Sequence, residues 1–370
     1  MDFVFLLFRF FPHGGLQRDA LAVAGRLAAA GERVRFVVGR WDGPRPDGIA
    51  VEAIGRRGWT NHGADADFAR RAPAAAGTGF RVGFNRMPGL DAYYAGDPCL
   101  AALLATRPAW QRLTPRNRAR LAFERAVYGP ASATRSLLLS PGQERDVARH
   151  YGTPAERLLL LPPGIGRDRR RPADWAARRS AARAALGVAE GELLLLALGS
   201  SYATKGVDRT VAALAALPPE RRGRVRLAVA GRGEAAPLRR QAARLGVAER
   251  LLLLGPRDDV PALLLAADLL VHPARLENTG QALLEAVVAG LPVLTTANCG
   301  FAPHVERAGA GLVLAEPFVP AALAGALGEM LDPARLAGWS AAALAYAGRV
   351  DLHGGLDAAA AALRRWAAQR

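Results

Sequence analysis

Short apolar runs alternate along this chain with Ala-, Leu- and Arg-rich stretches whose apolar positions repeat at helical spacing. No other feature constrains the fold as much. Parallel strands return across their sheet through a connection long enough to hold a helix, so runs of this length and spacing predict βαβ units. The predicted strands of the first half are residues 2–8, 33–39, 80–84, 135–140 and 157–162. Those of the second half are residues 192–199, 225–231, 250–255, 269–273 and 292–296. Between the two sets lies PPGIGRDRRRPADW (162–175), rich in Pro, Gly and Arg and without hydrophobic period, which reads as an interdomain linker. The last stretch, about 334 to 368, is Ala-rich and reads as helical. At 370 residues the chain exceeds what one core ordinarily holds. The expected fold class is α/β, with two Rossmann-like doubly wound domains, residues 1–163 and 164–350, facing each other across a cleft. A C-terminal helix, 351–370, is expected to pack back on the first. Such sheets bind ligands beyond the carboxyl ends of their strands.

Composition narrows the function classes. The two cysteines, Cys99 and Cys299, lie far apart and outside any CxxC or Cys/His spacing, which argues against a disulfide scaffold or a structural zinc and suits a reducing compartment. The N-terminal MDFVFLLFRFFPHGG lacks a basic leader and a small-residue cleavage site, so no signal peptide is expected. No uncharged apolar stretch reaches about 18 residues, so no membrane span is expected. The formal charge of +16 predicts a polyanionic partner: nucleic acid, anionic lipid or a phosphate-bearing substrate. Of the 49 basic side chains, Lys205 alone is lysine.

Three loops could carry chemistry. FPHGGLQRD (11–19) follows the first strand and opens a helix, where Gly14 and Gly15 would let backbone approach a ligand; taken alone, the loop is better explained as a tight strand-to-helix turn. Lys205 occupies the matching loop of the second half, where a compact ammonium with three donors suits phosphate oxygens better than a forked guanidinium. The plainer alternative is a solvated lysine. HPARLENTGQALLEAVVAGLPVLTT (272–296) is richest: a helix is expected to begin near Thr279–Gly280, capped by Thr279, with Glu277 before it and Glu285 on its second turn. Two carboxylates flanking a helix start can each accept a pair of hydroxyl hydrogen bonds, as sugar and ribose diols require, while the helix terminus takes a diphosphate. Alone, Glu277 would offset a helix dipole and Glu285 would sit on a solvated face.

These motifs together resemble the retaining family-4 glycosyltransferases of GT-B fold, through the E-x-x-G-x-x-x-x-E spacing, EAVVAGLPVLTT, the KG loop, LPPGI and GGLQRD. The resemblance is closer to the branch that adds the first glucose to the inner-core heptose of lipopolysaccharide, through FFPHGGLQRD, TNHG (60–63), VGFNRMPGLDAYYAGD (82–97), AFERA (122–126), LPPGI (161–165), KGVDR (205–209) and AADLLVHPA (266–274). It implies a hexosyltransferase using UDP-glucose and needing no metal or other cofactor. Lys205 would then neutralise the departing diphosphate, Glu277 would hold donor-sugar hydroxyls, and the N–H groups of Asn278, Thr279, Gly280 and Gln281 would bind sugar and phosphate. Glu285 would hold the ribose, and Gly14 and Gly15 would pack against the donor. Asp19 and Asp91 are the acceptor-side candidates, with Asp19 joining Lys205 and Glu277 as catalytic candidates. Members of the family often carry an arginine where this chain has Thr204 and Ser200, so the charge is expected to rest on Lys205 with help from Arg275.

Other signals are discounted. Asp65-x-Asp67 matches a metal signature but follows no strand, and reads as the capped, solvated start of a helix. GRGEAA (231–236) imitates a dinucleotide fingerprint without the acidic residue that should follow. His13 and His272 lack a third ligand and are expected in hydrogen-bonding roles. Residues 99–125 hold Arg107, Arg112, Arg116 and Arg120 with Trp110, Leu113 and Leu121, the pattern of a basic helix lying on an anionic membrane or of an ordinary helix with its tryptophan turned inward. The expected partners are a UDP-sugar, the lipopolysaccharide inner core and the anionic cytoplasmic face of the inner membrane. Alternatives are a family-4 transferase with another UDP-sugar or glycolipid acceptor, a sugar-nucleotide epimerase of similar fold and, more remotely, a basic nucleic-acid-binding protein. The last lacks stacking aromatics, a Cys/His finger and a clustered basic tail.

Overall fold

The computed structural model describes residues 1–12 and 14–370. His13, one of the two histidines singled out above, lies outside the described residues. The chain divides into two compact units: residues 1–163 with 354–370, and residues 164–353.

The first unit runs β1 (Asp2–Leu7), α1 (Gly15–Ala29), β2 (Arg33–Val38), β3 (Ala50–Ala53), α2 (Asn61–Ala76), β4 (Phe80–Gly83), β5 (Ala92–Tyr94), α3 (Leu100–Ala105), α4 (Trp110–Leu113), α5 (Pro115–Tyr128), β6 (Arg135–Leu138), α6 (Pro141–Tyr151) and β7 (Leu158–Leu160). Its seven strands are parallel, in the order β3-β2-β1-β4-β5-β6-β7, so the strand order reverses between β1 and β4. Phe3, Phe5 and Leu7 point to one face of the sheet and Val4 and Leu6 to the other, each into its own core, because a parallel sheet is covered on both sides. Glu124 of the AFERA motif is fully buried. It accepts hydrogen bonds from Leu100 N (2.7 Å), Ala101 N (2.9 Å) and the Tyr151 hydroxyl (2.7 Å) and pairs with Arg86, tying α5 to the start of α3.

The second unit runs α7 (Trp175–Ala185), β8 (Leu193–Leu198), α8 (Val207–Ala215), α9 (Pro219–Arg222), β9 (Val225–Ala230), α10 (Ala235–Arg244), β10 (Leu251–Gly255), α11 (Val260–Ala266), β11 (Leu269–His272), α12 (Gln281–Ala289), β12 (Val293–Thr296), α13 (Ala302–Ala308), β13 (Gly311–Leu314), α14 (Pro320–Met330) and α15 (Pro333–Arg349). Its parallel order is β10-β9-β8-β11-β12-β13, reversing between β8 and β11. The chain then returns to the first unit as α16 (Gly355–Ala367), whose Ala359, Leu363 and Trp366 join the core containing Phe3 and Phe5.

All ten predicted strands form, with ends trimmed by a residue or two. Three more were not anticipated: β3, β5 and β13. The helical stretch after residue 333 is two helices, separated at residues 350–354. Residues 162–175 are no loose linker. Ile165 is buried in the core of the second unit, and Arg167–Arg169 form a 3-10 turn against α12. The acids of ADAD are neither a helix start nor solvated: α2 begins earlier, at Asn61 with Thr60 as its cap, Asp67 accepts from Arg57 N and from Arg70 and Arg71, and Asp65 pairs with Arg56.

Candidate functional site

In the second unit the strand order reverses between β8 and β11, and the loops leaving those two strands carry the candidate residues. After β8 the backbone turns through Ser201 (φ +64°) and Gly206 (φ +70°). A Cβ on Gly206 would stand 2.0 Å from the Pro273 carbonyl oxygen, so the loop lies directly on the end of β11. Arg275 fixes it there: its N–H donates to Thr204 O (2.8 Å), its guanidinium donates to Ala203 O (2.7 Å), and it grips both oxygens of Asp208 (2.6 Å each). Arg275, expected to help neutralise phosphate, thus pairs with Asp208 here, as Lys205 pairs with Glu277.

Lys205 Nζ donates to Glu277 Oε2, bringing together the two residues that the sequence separates by 72 positions. His272, buried at the end of β11, approaches the same oxygen through Nε2 at 3.4 Å. Burial alone would raise the Glu277 carboxyl; the His272 hydrogen bond and the Lys205 charge outweigh it and hold it down to about 2. Glu277 also forms a parallel bridge with Cys299, whose thiol burial pushes up to about 11. His272 has the hydrogen-bonding role expected of it.

The helix after Glu277 begins differently from expectation. Its N-cap is Gly280, left-handed at φ +80°, with no side-chain cap, so Thr279 does not cap it; the Thr279 carbonyl accepts from Phe301 N at 2.7 Å. Gly280 and Gln281 stand at the first turn of α12, and Asn278 is buried just before it. Glu285, on the second turn, is not on a solvated face. It is 9% exposed, and its Oε1 accepts from Arg169 Nε at 3.2 Å. Arg169, itself 9% exposed, was not anticipated; its stretch has no apolar period, and nothing local marks one arginine of RDRRR as buried.

In the first unit Gly14 is extended (φ −89°) and precedes Gly15, the first residue of α1. A Cβ there would meet Gln17 Oε1 at 1.9 Å and the Phe11 ring at 2.5 Å, so packing alone requires a glycine at this position. Asp19 is buried on α1 and accepts from the Tyr94 hydroxyl at 3.0 Å, at the carboxyl end of β5. Asp91 stands at the opposite end, just before β5. It accepts from Arg81 N (2.7 Å) and pairs with Arg81 and Arg370, so the acceptor-side expectation for it is overturned: it ties strand starts to the C-terminus. The basic stretch is three helices, α3, α4 and α5, and the break at Thr114, whose ψ of 140° leaves the helical region, means that Arg112 does not continue the face of Arg116 and Arg120. Trp110 is 64% and Leu113 is 72% exposed, against an inward-packed tryptophan; Arg107, Arg112, Arg116 and Arg120 are exposed with them. Among the described residues, no group of three His, Cys, Asp or Glu stands close enough to hold a metal, and no helix is long and apolar enough to cross a membrane.

The family model described as glycosyl transferases group 1 matches residues 178–343. The lipopolysaccharide glucosyltransferase WaaG of Escherichia coli strain K12 is 40% identical over 363 residues, which span 95% of this chain and 96% of that protein. The crystal structure of WaaG, a glycosyltransferase involved in lipopolysaccharide biosynthesis, matches with a TM-score of 0.94 at 38% identity, covering 98% of this chain and 99% of that one. Anabaena Alr3699/HepE in complex with UDP-glucose matches in fold, with a TM-score of 0.75 at 19% identity and all of both chains covered.

Proposed function

We propose, from the premise that this chain belongs to the WaaG family of group 1 glycosyl transferases and has their GT-B fold, that it moves glucose from UDP-glucose to the inner-core heptose of lipopolysaccharide with retention at the anomeric carbon. The observation that carries this reading is the Lys205–Glu277 pair at the switch point of the second sheet, followed by the glycine-capped first turn of α12 and by Glu285. A ligand with a cationic need at one end and hydroxyl donors at two others fits that order of groups, and UDP-glucose has this form.

Breaking the anomeric C–O bond leaves a diphosphate that gains negative charge and a sugar with oxocarbenium character. The group that most lowers this barrier is a preorganised donor aimed at the leaving oxygen. Lys205 takes that role, with the first N–H groups of α12, Asn278 and Gln281 beside it. Glu277 receives the hydroxyls of the transferred sugar, and Glu285 those of the ribose. Asp19 remains the acceptor-side candidate. Retention puts the incoming hydroxyl on the face that the diphosphate leaves, so a diphosphate oxygen can accept its proton. No metal enters this scheme, and activity should survive a chelator.

The same reading seats the enzyme on the cytoplasmic face of the inner membrane. The exposed Trp110 and Leu113, flanked by Arg107, Arg112, Arg116 and Arg120, support an interfacial contact with anionic lipid. Co-sedimentation with anionic vesicles at low salt that is lost at high salt is the expected result; no binding at low salt ends the membrane reading.

The transfer itself is tested with purified truncated lipopolysaccharide and a panel of sugar nucleotides, with product mass measured. A mass gain of one hexose from UDP-glucose is expected. Transfer from a different UDP-sugar alone would favour the runner-up, a relative with another donor, for which Thr204 and Ser200 in place of arginine provide the motive.

A further inference from the structure

Glu285 sits on α12 with little access to water, and a buried carboxylate needs hydrogen-bond donors facing it. Among the described residues one group does so: Arg169 Nε reaches Oε1 at 3.2 Å, and none of them donates to Oε2.

Arg169 does not hang from a flexible stretch. Residues 165–171 are strapped to the second unit at several points. Ile165 N donates to Leu352 O (2.8 Å), and the Ile165 carbonyl contacts His353 Nδ1 (2.7 Å). Arg170 Nε meets the other nitrogen of the same ring (3.0 Å). Arg171 donates to the Ala289 and Gly290 carbonyls (2.9 Å each), capping the C-terminus of α12, and to the Ser340 hydroxyl (3.0 Å). The 3-10 turn Arg167–Arg169 is thereby pinned along α12, one end of the strap at its last carbonyls and the other beside Glu285. Asp168 (2.6 Å from Arg169 Nη1) orients the guanidinium from its outer side.

We propose that Arg169 is a positioning residue for nucleotide recognition: it fixes the rotamer of Glu285 so that this carboxylate accepts the two ribose hydroxyls of a uridine diphosphate. The inference rests on the donor reading above. Arg169 itself touches no substrate; it acts through one oxygen of Glu285 and leaves the second to the ligand. An arginine suits this because its planar fork can serve Asp168 and Glu285 at once, which an ammonium at the end of a flexible stem does less well.

The test compares binding of UDP and of 2′,3′-dideoxy-UDP, by calorimetry on the full chain, in wild type, Arg169→Met, Arg169→Lys and Glu285→Gln. Wild type is expected to prefer UDP. Arg169→Met should weaken UDP about tenfold, the loss of one charge-supported hydrogen-bonding group, and leave the dideoxy nucleotide unchanged, so that the preference collapses. Arg169→Lys should restore part of it, and Glu285→Gln should show the same collapse with no further effect of Arg169→Met on top. In turnover, KM for the donor should rise while kcat at saturation holds. Equal weakening of both nucleotides, or an unchanged preference, overturns the proposal, since a strap that merely supported the fold would act on both alike. If Arg169→Met does not fold, the Lys variant decides by the same ratio. A wild-type protein that binds no UDP defeats the donor reading instead, and this proposal with it.

Discussion

Lys205 and Glu277 define each other's state, and each is informative about the other when changed. Removing the ammonium by Lys205→Ala takes away the donor that faces the departing phosphate; a missing preorganised donor of this kind costs about 3 kcal/mol, or roughly a hundredfold in kcat. Near-normal turnover at saturating donor would show that the phosphate lies elsewhere. Glu277 gives a prediction in pH. Its folded value, about 2, lies below the 4.5 of an unperturbed glutamate. Its contribution to stability is therefore complete above about pH 4.5 and is lost as pH falls toward 2, with an upper limit of about 3 kcal/mol for such a shift. The gap in urea midpoint between wild type and Glu277→Gln should stay constant from pH 8 to 5.5 and narrow below 4.5. A gap that is flat down to pH 3 would mean that the carboxyl is not held ionised by its neighbours. At this scale the sequence was readable where residue type carried the message. A single lysine among arginines led to the Lys205–Glu277 pair, and the second acid of the spacing, Glu285, lies on the helix that follows. Arg169 and the Arg275–Asp208 clamp were not readable, because an arginine that meets a carboxylate from a distant segment looks like any other arginine in this chain.

Elements differ in how much local signal they carry. The ten strands legible in the sequence include β1, β8 and β11 beside the switch points, and these strands, covered on both faces, are near-continuous apolar runs. The three that were missed are β3 and β13, at sheet edges, and β5, of three residues. β3 reads AVEA and is largely exposed, so its assignment depends on pairing with β2 rather than on its own composition. The two switch-point loops of the second unit are elements in their own right, and Gly206 is where they are joined. Its φ of +70° is unfavourable for any residue with a Cβ, and that Cβ would also stand 2.0 Å from Pro273 O. Gly206→Ala must therefore push the Lys205 loop off β11. The expected cost is on the order of 2 kcal/mol in stability, with a higher KM for donor because the ammonium moves with the loop. Unfolding curves and donor kinetics check the two effects separately; loss of neither would mean that the loop accommodates the methyl by a small shift.

For the molecule as a whole, each unit has its own cores, but the first is completed only by the last seventeen residues of the chain, 354–370. Two kinds of interaction hold α16 there. Arg26–Asp357, Arg364–Glu32 and Arg370–Asp91 are ion pairs with at least one exposed partner, and pairs of that kind contribute about 0–1 kcal/mol each. Leu363 and Trp366 are buried against the strands that carry Phe3 and Phe5, and truncating a buried tryptophan costs about 3–5 kcal/mol. The apolar side chains must dominate. Trp366→Ala should then destabilise the first unit by about 3 kcal/mol or more, whereas Arg26→Ala or Arg364→Ala should cost less than about 1. Because UDP binding is assigned to residues of the second unit, the tryptophan variant should keep its affinity for UDP at temperatures where transfer to lipopolysaccharide is already failing. Calorimetric titration of UDP beside an activity-against-temperature series gives both readings on one preparation. If nucleotide affinity and transfer fall together, the two units do not melt independently. The docking of α16 would then support the entire chain rather than the unit whose core it fills.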